Sequence, residues 1–161
     1  MIIVSNTSPL INLAHIGQLN LLQQLYEQVV IPPAVYDEIV VAGAGQPGAT
    51  EVESYNWIQV KQVTHQQMVT SLQFDVDRGE AEAIVLAVEI KPDLLLLDER
   101  KGRLIASRLG IKLTGVLGIL IEAKRHGLIT EVKPIMDVLT DQVGFRVSIS
   151  LYQQVLQVAN E

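Results

Sequence analysis

Cysteine is absent from the 161 residues. Disulfides and thiolate metal sites are therefore excluded, and a reducing, cytoplasmic setting is expected. No run approaches the roughly 18 consecutive apolar residues that a membrane helix needs. Met1-Ile2-Ile3-Val4 lacks both the basic start and the long apolar stretch of a secretory leader, so no membrane association is expected. Positive charge is not in excess either: the net charge is −6, so any polyanion must be met by a local basic patch. His15, His65 and His126 fall in unrelated segments, which gives no support to a serine or cysteine hydrolase triad. After the first apolar run, Ser5-Asn6-Thr7 supplies neither a glycine-rich dinucleotide fingerprint nor the paired acids of a phosphoacceptor receiver domain. Gly43-Ala44-Gly45-Gln46-Pro47-Gly48 follows a helical pattern rather than a strand, and reads as a surface loop rather than a phosphate cradle. There is no internal repeat and no low-complexity tract.

What is present is a globular composition, 48% apolar and 19% charged, in a length that suits one domain over residues 1–161. Leu94-Leu95-Leu96-Leu97 is a short, continuous apolar run that turns polar at Asp98, as a strand covered on both faces does. Ile2-Ile3-Val4, Val29-Val30-Ile31, Trp57–Val63 and Ile111–Thr114 read as further strands. Between them lie helical patterns. Ser8-Pro9 suggests a cap and first helical turn, and Pro33 opens a helix over Ala34–Val41. Asp77-Arg78-Gly79-Glu80 has the form of a capping box ahead of an apolar helix to Ile90. Lys101–Leu109 is basic and amphipathic, and Gly115–His126 is apolar with a basic end. Closing helices are expected over Glu131–Leu139 and Ser150–Val158. The alternation predicts an α/β fold with a mostly parallel sheet and helices on both faces.

In such sheets ligands bind at the carboxyl ends of the strands. Asp98 directly follows the leucine strand, Glu38 lies on the helix after the second strand, and Glu80 and Glu82 lie near the start of the apolar helix. Asn6 holds the corresponding place after the first strand. Converging carboxylates repel one another, and a hard cation such as Mg²⁺ or Mn²⁺ relieves that repulsion. Glu80 doubles as the acid of the capping box, and Glu82 lies about 200° round the helix from it, on a face whose neighbours are apolar. A carboxylate there needs a partner. Arg100, Lys101 and Arg103, with Lys124, are candidates for a basic rim that holds phosphates.

Four segments together resemble the PIN-domain family. Val4-Ser5-Asn6-Thr7-Ser8-Pro9-Leu10-Ile11 is similar to its opening motif, Val35-Tyr36-Asp37-Glu38-Ile39 to its second acidic segment, Gly79-Glu80-Ala81-Glu82-Ala83-Ile84 to its third, and Leu97-Asp98-Glu99-Arg100-Lys101-Gly102-Arg103 to its fourth. Thr114-Gly115-Val116-Leu117-Gly118 and Ala123-Lys124-Arg125-His126-Gly127-Leu128-Ile129 resemble a prokaryotic PIN-like branch long labelled a domain of unknown function. The resemblance spans residues 1–130, with the closing helices of 131–161 beyond it. It implies a three-layer α/β/α fold and a Mg²⁺- or Mn²⁺-dependent endoribonuclease for single-stranded RNA. It further implies a toxin-like role opposite an antitoxin protein, and homodimeric assembly, to which the apolar Val116–Ile121 also points. Carried over by position, Asn6, Glu38, Glu82 and Asp98 form the metal site, with Glu80 competing for the third place. Glu38, Glu82 and Asp98 then act in catalysis, while Ser8, Arg100, Lys101 and Arg103 hold substrate. The departure is Asn6, where the family pattern has Asp, so that one negative charge is missing unless Glu80 or Glu99 supplies it. A catalytically weakened binding or regulatory domain is the alternative that Asn6 favours.

Overall fold

Side chains of successive strand residues point to opposite faces, so a strand buried on both faces must be apolar throughout. The computed structural model describes residues 1–161 and shows this alternation in each central strand. The strands are β1 (Ile2–Ser5), β2 (Gln28–Ile31), β3 (Ile58–Val60), β4 (Leu94–Leu96) and β5 (Leu113–Thr114). They form one sheet in the order β3-β2-β1-β4-β5, and every pairing is parallel. Ile3, Val29, Ile31 and Leu96 face one core, whereas Val4, Val30, Leu95 and Leu97 face the other.

The larger core packs against α1 (Thr7–His15), α2 (Asn20–Leu25), α3 (Pro33–Tyr36), α4 (Ala49–Ser54), α8 (Val116–Arg125), α9 (Lys133–Val138) and α10 (Ile149–Val158). The smaller packs against α5 (Gln66–Leu72), α6 (Arg78–Ile90) and α7 (Arg100–Arg108). The result is the three-layer α/β/α architecture expected of a PIN-like fold, with an all-parallel sheet at its centre. The strand order reverses between β1 and β4. After β1 the chain enters α1 on the larger-core face, and after β4 it enters α7 on the smaller-core face. Helices that diverge in this way open a crevice at the carboxyl ends of the two strands. The backbone N–H of Asn6 donates to the Leu96 carbonyl at 3.0 Å, fixing Asn6 at the mouth of that crevice.

Three local features differ from the sequence reading. Helix α1 begins at Thr7 rather than after Ser8, so Asn6 holds the cap position, yet its side chain makes no cap hydrogen bond. The helix expected over Ala34–Val41 is α3 followed by a π turn, Asp37–Val41, which carries Glu38. Single π turns inside helices are rare and recur at functional sites. The apolar run of α8 is partly used within the chain: Val116, Ile119, Leu120 and Ala123 are fully buried in the larger core, whereas Leu117 and Ile121 are half-buried.

Candidate functional site

Asn6 is buried, and its amide divides into a satisfied and an unsatisfied half. Nδ2 donates to Glu99 Oε2 at 3.1 Å, while Oδ1 is buried with no hydrogen-bond partner. Glu99 also accepts the Ser8 hydroxyl at 2.5 Å. Residues from the end of β1 and the end of β4 therefore close on each other at the switch point. The sequence reading weighed Glu99 only as a source of missing charge. Nothing in the pair Asp98-Glu99 reveals which acid faces β1, because that depends on how the chain turns after β4.

The π turn brings Glu38 to the same crevice. Thr7, a residue the sequence reading did not single out, donates its hydroxyl to the Glu38 carboxylate. A Cβ built on Gly79 would lie 2.5 Å from Glu38 Oε1, so glycine here lets the Glu38 carboxylate rest against the first turn of α6. Burial raises the Glu38 carboxyl, and repulsion from Asp77 and Glu99 works against the Thr7 and Gly79 hydrogen bonds.

Glu80 is the third acid here. Its backbone N–H donates to Asp77 Oδ1 at 2.8 Å, the half of the capping box that the sequence predicts. Its carboxyl is buried among acids. Burial, then repulsion from Asp77, Glu99 and Glu38, pushes it up to about 8. Glu38, Glu80 and Glu99 thus repel one another across the crevice, and Asn6 bonds the last of them.

Glu82, expected to be a metal ligand, has both carboxylate oxygens engaged by donors. Its Oε1 accepts the Ala34 N–H at 3.1 Å and its Oε2 accepts Arg78 Nε at 3.0 Å. Pro32 and Pro33 have no N–H, so Ala34 carries the first free donor of α3, and Glu82 caps that helix from the side. The partner that a buried carboxylate needs is thus a helix N-terminus.

Asp98 also turns aside. Both its carboxylate oxygens lie 3.3 Å from the Val116 N–H at the start of α8. A Cβ on Gly115 would meet Asp98 Oδ1 at 2.3 Å, so the absence of a side chain there makes room for the carboxylate as it rests. Burial pushes the Asp98 carboxyl up to about 6, against the Val116 hydrogen bond and the nearby Arg103. Asp98 lines a cavity of about 430 Å³ together with Ser8 and Glu99, and so remains at the edge of the crevice.

The basic residues separate as well. Arg100 and Lys101 are exposed and, with Glu80 and Glu99, line a cleft of about 530 Å³. Arg103 is half-buried and donates to the Leu97 carbonyl at 2.6 Å, bracing the end of β4. Lys124 lies in the last turn of α8, away from the crevice, and bonds the Ala159 carbonyl and Glu161. It is not part of a rim.

No three acidic or histidine side chains are gathered as a ready ligand shell. The donor chemistry nevertheless fits a hard divalent cation. An orphaned amide oxygen and crowded carboxyls, whose ionisation burial and mutual repulsion disfavour, are oxygen donors that a cation would stabilise. The PIN domain family model matches residues 2–161, covering the closing helices as well as the four acidic segments. The chain belongs to the PIN domain family. That family is of nuclease type, and its members are generally dependent on divalent metals. No curated protein matches the chain. No helix of this PIN domain is long and apolar enough to cross a membrane.

Proposed function

We propose that this PIN domain is a metal-dependent endoribonuclease that cuts single-stranded RNA at the β1–β4 crevice. The observation that carries the reading is Asn6 Oδ1, buried without a partner on the residue whose Nδ2 bonds Glu99, an acid close enough to Glu38 and Glu80 to raise both carboxyls. An unpaired buried acceptor costs about 1–3 kcal/mol, and a cation at this point removes that cost. Asn6 Oδ1, Glu38, Glu80 and Glu99 are the residues that would hold Mg²⁺ or Mn²⁺. The bound ion supplies charge neutralisation at the phosphodiester and activation of water.

The chain's own groups set up the rest. Thr7 and Gly79 orient Glu38. Asn6 Nδ2 and the Ser8 hydroxyl orient Glu99, so Ser8 acts on the site through Glu99. Glu80, raised to about 8, holds a proton at neutral pH in the metal-free protein and can give it up when positive charge arrives. Arg100 and Lys101 are free to meet phosphates. A toxin-like role opposite an antitoxin and homodimeric assembly belong to the same reading. Exposed Ile149, Leu151 and Val158 on α10 offer apolar surface for an assembly, which light scattering at micromolar concentration tests.

Calorimetric titration of Mn²⁺, paired with cleavage of single-stranded RNA with and without the ion, tests the central claim. Saturable binding with metal-dependent cleavage is expected. Absence of both overturns the reading in favour of a binding or regulatory domain, the alternative supported by the amide at position 6 and by the loosely gathered acids.

A further inference from the structure

The chain has two phenylalanines, and both lie at cavities that touch the acidic crevice. Phe74, in the connection between α5 and α6, is 87% exposed, the most exposed large apolar side chain in the protein. One exposed ring is ordinary on a protein surface. Its position is what matters: it lines the same cleft as Glu80, Glu99, Arg100 and Lys101. On the opposite side, a second π turn, Leu139–Val143, ends at Gly144, whose φ of 75° only glycine adopts without strain. The chain reverses there, the Phe145 N–H donates to the Leu139 carbonyl at 3.1 Å, and Phe145-Arg146 is delivered to the rim beside Asp98. Arg146 is exposed and makes no hydrogen bond or ion pair within the chain.

The cavities join. Glu99 lines both the Phe74 cleft and the next cavity, and Asp98 lines that cavity and the one beyond it, where Arg103 and Arg146 stand. The volumes are about 530, 430 and 450 Å³ in that order. A row of neighbouring cavities therefore lies along the carboxyl edge of the sheet from the smaller-core layer to the larger-core layer. Its centre is acidic; one end carries Phe74 with the unpaired Arg100 and Lys101, the other Phe145 with the unpaired Arg146. Proteins that grip single strands without reading sequence use this combination, with rings for base faces and cations for the backbone. An acidic centre needs such flanking cations, because the chain's net charge of −6 gives no other means of holding a polyanion.

We propose that Phe74 and Phe145 are stacking platforms for two nucleobases that flank the cleavage position. Arg100 and Lys101 hold phosphate on the Phe74 side, and Arg146 does so on the Phe145 side. The single strand then runs along this row of cavities, with its central phosphodiester over Glu80 and Glu99. This rests on the ribonuclease reading and deepens it by assigning substrate-positioning residues on both sides. A duplex, whose bases are already stacked on one another, has no free base face to offer these rings.

The test is fluorescence anisotropy in EDTA, where cleavage does not interfere, with a labelled single-stranded RNA of mixed sequence. The second probe is the same strand with abasic sites at its centre. Phe145 is half-buried against the larger core, so leucine rather than alanine replaces each ring, and thermal melting checks that each variant folds. Phe74→Leu and Phe145→Leu should each weaken binding of the mixed strand by about 5- to 100-fold, as loss of one stacked base does. Both should leave binding of the abasic strand unchanged, a pattern that mere destabilisation does not produce. Arg146→Gln and Lys101→Gln should weaken both strands equally, each lowering the salt slope by about 0.7. Folded phenylalanine variants that bind the mixed strand like the parent overturn the stacking assignment, and if the parent still cleaves with Mn²⁺ the ribonuclease reading survives. A parent that neither binds nor cleaves single-stranded RNA overturns both.

Discussion

The corner where α6 abuts α3 and the corner where α6 meets the end of β4 each bury a glutamate, and they satisfy it in opposite ways. Glu82 meets donors: a helix N-terminus and an arginine. Glu80, two residues earlier on the same helix, meets Asp77, Glu38 and Glu99. A buried carboxylate with donors is structure. A buried carboxylate among carboxylates is held in an unfavourable state by the rest of the fold, and such strain is characteristic of sites that await a ligand. Sequence spacing alone favours Glu82 for the metal site, because it looks unpartnered on an apolar helix. The partner comes from a helix more than forty positions away.

The largest effect expected from breaking this contrast is at Glu82. Glu82→Ala leaves the Ala34 N–H unsatisfied and Arg78 unpaired, and should cost about 3 kcal/mol of stability by urea melting. Glu82→Gln keeps an acceptor and should cost only about 1 kcal/mol. Neither should change the Mn²⁺ affinity of the folded protein. A Glu82 variant that melts like the parent but loses the ion would return Glu82 to the metal site.

Next comes Asn6→Asp. The change replaces the Nδ2 hydrogen bond to Glu99 with two adjacent carboxylates, so the metal-free protein should lose about 2 kcal/mol. Saturating Mn²⁺ should recover that loss, and affinity should rise, because a full charge replaces a dipole at the ligand position. Equal melting temperatures for parent and variant in EDTA would show that Asn6 and Glu99 do not meet.

Glu80 tests the same contrast by pH. Its folded carboxyl titrates near 8, against 4.5 for the ordinary group. Between those values the folded chain binds a proton that the unfolded chain has released, so metal-free stability falls as pH rises through that window. Glu80→Gln should flatten this part of the stability profile and weaken Mn²⁺ binding. In the parent, Mn²⁺ binding near neutral pH should release protons, which calorimetry in buffers of different ionisation enthalpy detects. A parent whose melting temperature is level from pH 5 to pH 8 would contradict the crowding of Glu80.

The smallest expected effect separates Asp98 from Glu99. Asp98→Asn keeps an acceptor for the Val116 N–H and removes a charge that burial disfavours, so stability should change by less than about 0.5 kcal/mol. Glu99→Gln should lower Mn²⁺ affinity more than Asp98→Asn does. The reverse order would place the ion on the Asp98 side of the crevice.

The local pattern of residues determined the layers of this protein. Four leucines ahead of Asp98, β-branched runs at the other strands and apolar helices between them left a parallel, doubly covered sheet as the consistent solution. The Asp77 cap of α6 was equally legible, because its hydrogen bond spans only three positions. Asn6 and Glu38 were readable as crevice residues for a related reason: strand ends and motif order put them at the carboxyl edge. Tertiary structure decided which acids share the pocket. It assigned Glu82 to cap α3 and Asp98 to α8, turned Glu99 toward Asn6 and Ser8, and brought Phe145-Arg146 from the far end of the chain to the rim. Each of these depends on an angle between elements distant in sequence. A carboxylate's role is set by whichever N–H groups or charges lie within about 3 Å of it, and over such distances spacing along the chain carries no information.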